Sequence, residues 1–390
     1  MNQRFYSLDV FRGATVALMI LVNNPGSWSH IYAPLKHAPW HGCTPTDLVF
    51  PFFLFAVGNA LAFVMPRLES AGTKVFLRKV ITRTLLIFLI GLFLNWWPFV
   101  RWSDDGLVFK HWVDPANPDT GIRILGVLQR IALAYFFASM IIYFFRIKGA
   151  FLISTLLLLI YWWLCLAFAI GSDPFSMEGW FGNGIDRAVL GTAHMYKGEG
   201  VPFEPEGLAS TLPAIVQVIF GYFVGDYIQK KGKNTEMLTH LFVAGCILVL
   251  TAICWEMVFP INKKIWTSSY VLYTTGLAIL VLSVMIHLIE FRNQRGALTR
   301  FFDVFGKNPL FIFFLSGFLP RLLALIRWED HINEQGKIVY SSPFPWFYEH
   351  ICKPLFDNPK NGSLLYALAM IAFYWAVCYW LDRKRIYIKV

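Results

Sequence analysis

Long apolar stretches alternate with short polar ones from one end of the chain to the other. At 1.5 Å per helical residue, a stretch of about 20 is long enough to cross a hydrocarbon layer of about 30 Å. Ten stand out: residues 8–23, 48–66, 80–99, 122–144, 149–170, 211–229, 238–258, 265–289, 308–326 and 363–382. The pattern predicts an all-α polytopic membrane protein of about ten transmembrane helices with structured outer loops. The first stretch contains Asp9 and Arg12 and is not followed by a small-residue cleavage site, so it is expected to stay as a helix. The inner connections are short. The four long ones, 24–47, 100–121, 171–210 and 327–362, are rich in Trp, Pro, Gly and acidic residues and read as folded caps over an outer-facing site. There is no inverted repeat of the transporter kind and no soluble domain.

Composition agrees with the pattern. With 57% hydrophobic residues, 15% charged residues and a mean hydropathy of +0.53, the chain lies outside the range of soluble domains. Charge then sets a direction. With the N-terminus inside, the inner face collects Arg4, Arg12, Arg67, the group from Lys74 to Arg83, Arg146, Lys148, Lys230 to Lys233, Arg292 to Lys307 and Arg383 to Lys389, more than half of the 34 Lys and Arg residues. Most acids fall on the outer loops, so ten spans with both termini cytoplasmic satisfy the positive-inside rule. The net charge of +10 is then accounted for by topology and calls for no nucleic acid. Of six cysteines, Cys165, Cys246, Cys254 and Cys378 sit in apolar stretches as packing residues, while Cys43 and Cys352 fall in outer segments where an oxidising compartment would let them pair.

Charges inside the apolar stretches need partners, because each costs roughly 2.5 to 3.5 kcal/mol on insertion scales. Asp9 and Arg12 are three apart and share a helix face. Arg130 has two open readings, structural pairing with Asp47 or contact with substrate. Arg83 is read as beginning a helix at the cytoplasmic side beside Arg78 and Lys79, where a phosphate-bearing ligand would find charge. At the other side, "KHAPWHGCTPTDLVFPFFLF" gathers His37, His41, Cys43 and Asp47 just before a membrane stretch. His37 and His41 have the spacing of a helical metal pair, but Pro39 between them disrupts such a helix and argues against zinc. Histidine there suits proton transfer or nucleophilic attack, and Asn23 at the end of the first stretch could fix its tautomer or hold a carbonyl oxygen.

The segments "SLDVFRGATVALMILVNNPG" and "KHAPWHGCTPTDLVFPFFLFAVG", followed in order by "RTLLIFLIGLFLN", "RILGVLQRIALAYF", "FEPEGLASTLPAIVQVIFGYFVG", "INKKIWTSSYVL" and "FGKNPLFIFFLSG", resemble the heparan-α-glucosaminide N-acetyltransferase family of membrane enzymes and its bacterial relatives. Members move acetyl from cytosolic acetyl-CoA to an amino sugar across the membrane. The resemblance implies one transmembrane acyltransferase domain over 1–390, in a bacterial inner membrane. It implies His37 as the catalytic residue, Asn23 as its companion, and Asp47, Glu206, Asn262 and Lys263 as site or structural contributors; Arg130 joins the acceptor group by its charge in an apolar stretch, not by the resemblance. It also implies acetyl-CoA as co-substrate, for which the inner charges of Arg83 and Arg12 offer a phosphate contact, no metal, a glycan acceptor, membrane lipids as surroundings and a homodimer. His30 and His41 have no such support, and His41 stands where the lysosomal pattern has asparagine. Two alternatives remain: O-acylation of a cell-envelope polysaccharide, and a glycan transporter or flippase with a polar path along Asp9, Arg12 and Arg130.

Overall fold

The computed structural model describes residues 5–103, 106–333 and 335–388; Arg4 and Lys389, counted above for the inner face, lie outside them. In chain order the helices are α1 (Tyr6–Asn23), α2 (Val49–Ser70), α3 (Thr73–Trp96), α4 (Val127–Ala167), α5 (Gly182–Leu190), α6 (Leu208–Lys231), α7 (Thr235–Glu256), α8 (Ser268–Ile286), α9 (Ala297–Lys307), α10 (Pro309–Leu323), α11 (Pro343–Phe347) and α12 (Pro359–Arg383). Among the described residues seven helices are long and apolar enough to cross a membrane, or eight if α9 and α10, bent by 77° at Asn308, form one broken span. The chain is therefore a polytopic integral membrane protein, and on these criteria the expected ten spans are not reached.

Three places account for the difference. The 122–144 and 149–170 stretches form two helices that follow one another without a loop as the 41 residues of α4, meeting at a kink where Arg146 takes φ +57°. At 1.5 Å per residue the two together would be about 62 Å long, twice a bilayer core. Helix α3 carries Lys74, Arg78, Lys79 and Arg83 in its first three turns and is not among the seven. The α9–α10 break divides the remaining stretch.

Helices α2 and α6 meet at the centre of the bundle. A Cβ on Gly58 would lie 2.0 Å from the Val218 carbonyl oxygen, and one on Gly221 would lie 2.1 Å from that of Phe55. Glycine alone permits this approach, the small-residue packing expected between membrane helices. The outer surfaces are the reverse of a soluble protein. Phe151, Leu152, Leu159 and Trp163 on α4, and Val243, Ile247 and Leu250 on α7, are exposed at helical spacing and face lipid. Cys246 and Cys254 share that exposed side of α7 and do not pack inside the protein.

Two of the four long connections, 100–121 and 327–362, depart from an all-helical design. They fold as antiparallel hairpins, β1 (Val100–Ser103) with β2 (Gly106–Phe109), β3 (Val113–Asp114) with β4 (Asn117–Gly121), and β5 (Trp328–Ile332) with β6 (Ile338–Ser341). The guanidinium of Arg327 lies 3.7 Å from the Trp102 ring centre and 4.2 Å from that of Tyr340, which ties the first hairpin to the last. Cys43 and Cys352 are both free thiols, and Cys352 is buried, so the pairing open to them in the sequence is not made.

Candidate active site

The loop between α1 and α2 is organised by one carboxylate. Asp47 sits in a short 3-10 turn, Pro45–Leu48, that leads into α2. Its Oδ2 accepts hydrogen bonds from the backbone N–H groups of Ala38 and Thr44 and from the Thr44 hydroxyl, each at 3.0 Å. Tyr270 on α8 holds the same residue from below, donating its hydroxyl to the Asp47 carbonyl at 2.5 Å. With Oδ2 saturated, Oδ1 is left for two side chains, His37 at 2.6 Å and Lys263 at 3.4 Å.

This arrangement gives His37 a direction. Its side chain is 43% exposed while that of Asp47 is 1% exposed. A buried acceptor against an accessible imidazole holds the ring by Nδ1 and turns Nε2 outward. Among the described residues both recorded polar contacts of the ring are at Nδ1, and Nε2 has no hydrogen-bond partner. With Nδ1–H donating to Asp47, Nε2 carries the lone pair that a base or nucleophile needs.

Lys263 completes the group. Its Nζ lies 3.0 Å from His37 Nδ1 but pairs with Asp47 Oδ1, because an Nδ1–H given to Asp47 leaves no lone pair for an ammonium, and burial lowers its pKa, opposed by the charges of Asp47 and Glu206. The lysine arrives on the loop between α7 and α8, which pairs with the histidine loop through a parallel bridge of Gly42 with Asn262 and a 2.7 Å bond from Gly42 N–H to the Ile261 carbonyl. Gly42 has φ +98°, a conformation that favours glycine. The Asn262 side chain is spent on its own loop: Oδ1 accepts from the N–H groups of Lys264 and Ile265, and Nδ2 lies 3.4 Å from His41 Nδ1. Asn262 thus shapes the lysine loop, and His41 borders it.

Beside this group lies a buried charge network. Glu204, fully buried, takes both Nε and Nη2 of Arg123, and Nη2 also reaches Glu206 at 2.5 Å. Burial works against the Glu206 charge, yet Arg123, Arg130 and Lys263 hold its carboxyl below the usual range. Arg130 is fully buried, donates to the Ser210 hydroxyl and to the Gly207 carbonyl, and lies 5.0 Å from the Trp266 ring centre. It does not pair with Asp47, which corrects one of its two readings; its charge is met by the Glu204–Glu206 side. Asn23 is exposed at the end of α1 and makes none of the hydrogen bonds at His37.

Three residues here escape sequence reading. Arg123 and Glu204 had a visible signal, a second acid two residues from Glu206 and a lone arginine just before an apolar helix. Lys264 had only its place after Lys263; its Nζ binds the Pro39 carbonyl at 2.8 Å and Glu199 at 2.5 Å, closing the outer cap over the loop.

At the opposite end, Asp9 and Arg12 form the expected pair at 2.8 Å, and Arg12 Nε also donates to the Gly306 carbonyl. They line a cavity of about 900 Å³ with Arg295, Lys307 and Tyr387. Arg83 does not begin its helix; it lies ten residues into α3, about 15 Å along it. Arg12 and Arg83 meet on a smaller cavity of about 120 Å³ that reaches Phe53 on α2 and Leu310 on α10. Arg130 lines neither cavity. Phe53 is six residues, about 9 Å of helix, from Asp47.

No family model matches the chain. Over 99% of its length it is 25% identical to the heparan-α-glucosaminide N-acetyltransferase of Homo sapiens, and over 84% it is 26% identical to that of Mus musculus. These matches support placing the chain in the heparan-α-glucosaminide N-acetyltransferase family. The chain spans 60% of the human relative and 56% of the mouse one.

Proposed function

We propose that the protein is a transmembrane acetyltransferase that takes acetyl from acetyl-CoA on the cytoplasmic side and gives it to the amine of an amino sugar or glycan on the other. The observation that carries this reading is the nearness of two unlike sites: a cation-lined cavity that reaches Phe53, and, less than two turns of chain from it, Asp47, which holds an imidazole with its Nε2 free. CoA phosphates suit Arg12 and Arg83, and the narrow apolar reach beyond them suits a pantetheine arm. Outside, Lys263 and Glu206 border the position for the acceptor.

The chemistry needs no redox step. A carbonyl carbon–sulfur bond breaks, a carbon–nitrogen bond forms, the amine loses a proton and the CoA thiolate gains one. His37 Nε2 accepts the amine proton during direct transfer, or first takes the acetyl group and then yields it to the amine. Asp47 stabilises the imidazolium in either case, as a carboxylate does in other histidine dyads.

The same reading treats residues 1–390 as one domain and supplies ten crossings, with α4 as two spans, α9–α10 as one and α3 as another, both termini cytoplasmic in a bacterial inner membrane. The homodimer belongs to it as well. The test is thiol release. Purified protein with acetyl-CoA is expected to release CoA thiol in proportion to N-acetylated glucosamine formed; acceptor movement without thiol release would replace the enzyme with a transporter, and ester product would replace N- with O-acylation.

A further inference from the structure

Among the described residues, four cations on the first half of α3 have no anionic partner. Lys74, Arg78, Lys79 and Arg83 line a cavity of about 590 Å³, and no acid lines it with them. Among the described residues none of the four enters an ion pair or a side-chain hydrogen bond, whereas Arg12 pairs with Asp9, Arg146 with Glu69, Lys230 with Asp226 and Lys307 with Asp303. Arg83 is turned inward, its guanidinium 4.9 Å from the Tyr135 ring centre and its buried Nε without a hydrogen-bond partner. The rest of the wall is apolar, with Val64 and Leu68 of α2 and Leu86 of α3.

We propose that this cavity is a binding site for an anionic phospholipid of the inner leaflet. Lys74, Arg78 and Lys79 hold the phosphate headgroup at the rim, and the acyl chains run down the side of α3, where Ile81, Leu85 and Leu89 are exposed at helical spacing. A rim of cations over an apolar wall between membrane helices matches such a headgroup and its tails together. A soluble nucleotide would leave the apolar wall unused. The cavity shares Arg83 and Tyr135 with the smaller one that also holds Arg12, so the lipid forms one side of the passage assigned above to acetyl-CoA. The inference rests on that reading only for this last consequence; the lipid site stands or falls by itself.

Native mass spectrometry of the detergent-purified protein with equal dioleoyl-phosphatidylglycerol and dioleoyl-phosphatidylcholine tests it. The parent is expected to retain the anionic lipid several-fold over the zwitterionic one. The variant Lys74→Gln, Arg78→Gln, Lys79→Gln is expected to lose that preference, while Lys230→Gln, Lys231→Gln, Lys233→Gln, at a basic end outside the cavity, keeps it. CoA affinity, measured by calorimetry on the same samples, is expected to be unchanged in the first variant. Equal retention of both lipids by the parent overturns the proposal, as does a first variant that keeps the preference. Loss of CoA binding with the lipid preference intact also overturns it and gives the cavity to CoA.

Discussion

His37 Nδ1 and Asp47 Oδ1 are 2.6 Å apart, and Asp47 Oδ2 is held by three donors from the loop that carries His37. The carboxylate therefore builds the loop and orients the imidazole with the same side chain. One substitution should disturb both, and a milder one should separate them.

His37→Ala and His37→Asn are expected to abolish acetyl transfer while leaving CoA affinity within a few-fold of the parent. Asp47→Asn keeps the shape but turns a strong acceptor into a mixed donor and acceptor, and should lower kcat by roughly 10²–10⁴-fold. His30→Ala and His41→Ala should retain substantial activity. Turnover near the parent rate in folded His37 variants would remove the catalytic assignment. Labelled acetyl retained on denatured parent but not on His37→Ala would identify an acetyl-histidine.

Arg12→Ala and Arg83→Ala should each weaken CoA binding about tenfold or more, the scale of a lost hydrogen bond to a charged group. The loss should shrink at high salt, where screening already reduces the attraction. Calorimetry at two ionic strengths reads both effects, and unchanged affinity in either variant removes that residue from the site.

Arg123→Met strands Glu204, fully buried, and Glu206 without their shared cation. A cost of about 3–5 kcal/mol in stability is expected, as for other broken buried pairs. Replacing all three, Arg123→Met with Glu204→Gln and Glu206→Gln, should recover much of it. Thermal unfolding in detergent compares the two variants, and equal losses would show that the charges are not coupled.

Asp186 on α5 is buried against the start of α6, where its Oδ1 accepts the Leu208 N–H at 2.8 Å, and burial pushes its carboxyl from 3.8 up to about 7. The folded state then holds a proton that the unfolded state has released, so stability falls as pH rises from about 4 to about 7. Asp186→Asn keeps an acceptor for Leu208 without the titration. Its unfolding temperature should depend less on pH than the parent's across that window; identical pH profiles would count against the assignment.

Cys43 is free but unreactive. Burial, with Asp47 nearby, pushes its thiol up to about 12, so the thiolate is scarce at neutral pH. Impermeant maleimide at pH 7 should label it slowly, with the rate rising tenfold per pH unit through pH 9. Fast labelling at pH 7 would show an open loop.

The helices were legible because their signal is local. A run such as 48–66 is long and apolar enough to be read from composition alone, and the Asp9–Arg12 pair follows from helical spacing. His37 and Asp47 were legible for another reason, since they stand ten residues apart in one loop and belong to a motif shared with an enzyme family. Lys263 joined them only through that resemblance, and nothing local says that its Nζ lies 3.0 Å from His37.

What lay between distant segments was not legible. Pairing of Arg130 with Asp47 was a reasonable reading of two charges in apolar stretches, but the fold gives Arg130 to Ser210 and Gly207 instead. The two helices of α4 were legible as two stretches, 122–144 and 149–170, but the kink that joins them without a loop at Arg146 was not. By itself the sequence determined that the chain must live in a bilayer, since apolar runs of this length have no other stable solvent. The tertiary structure decided which charges meet. Contact between Gly42 and Asn262, or between Arg123 and Glu204, depends on loops far apart in the chain packing across helix ends, and the energy of a buried charge is set by that packing and not by its neighbours in sequence.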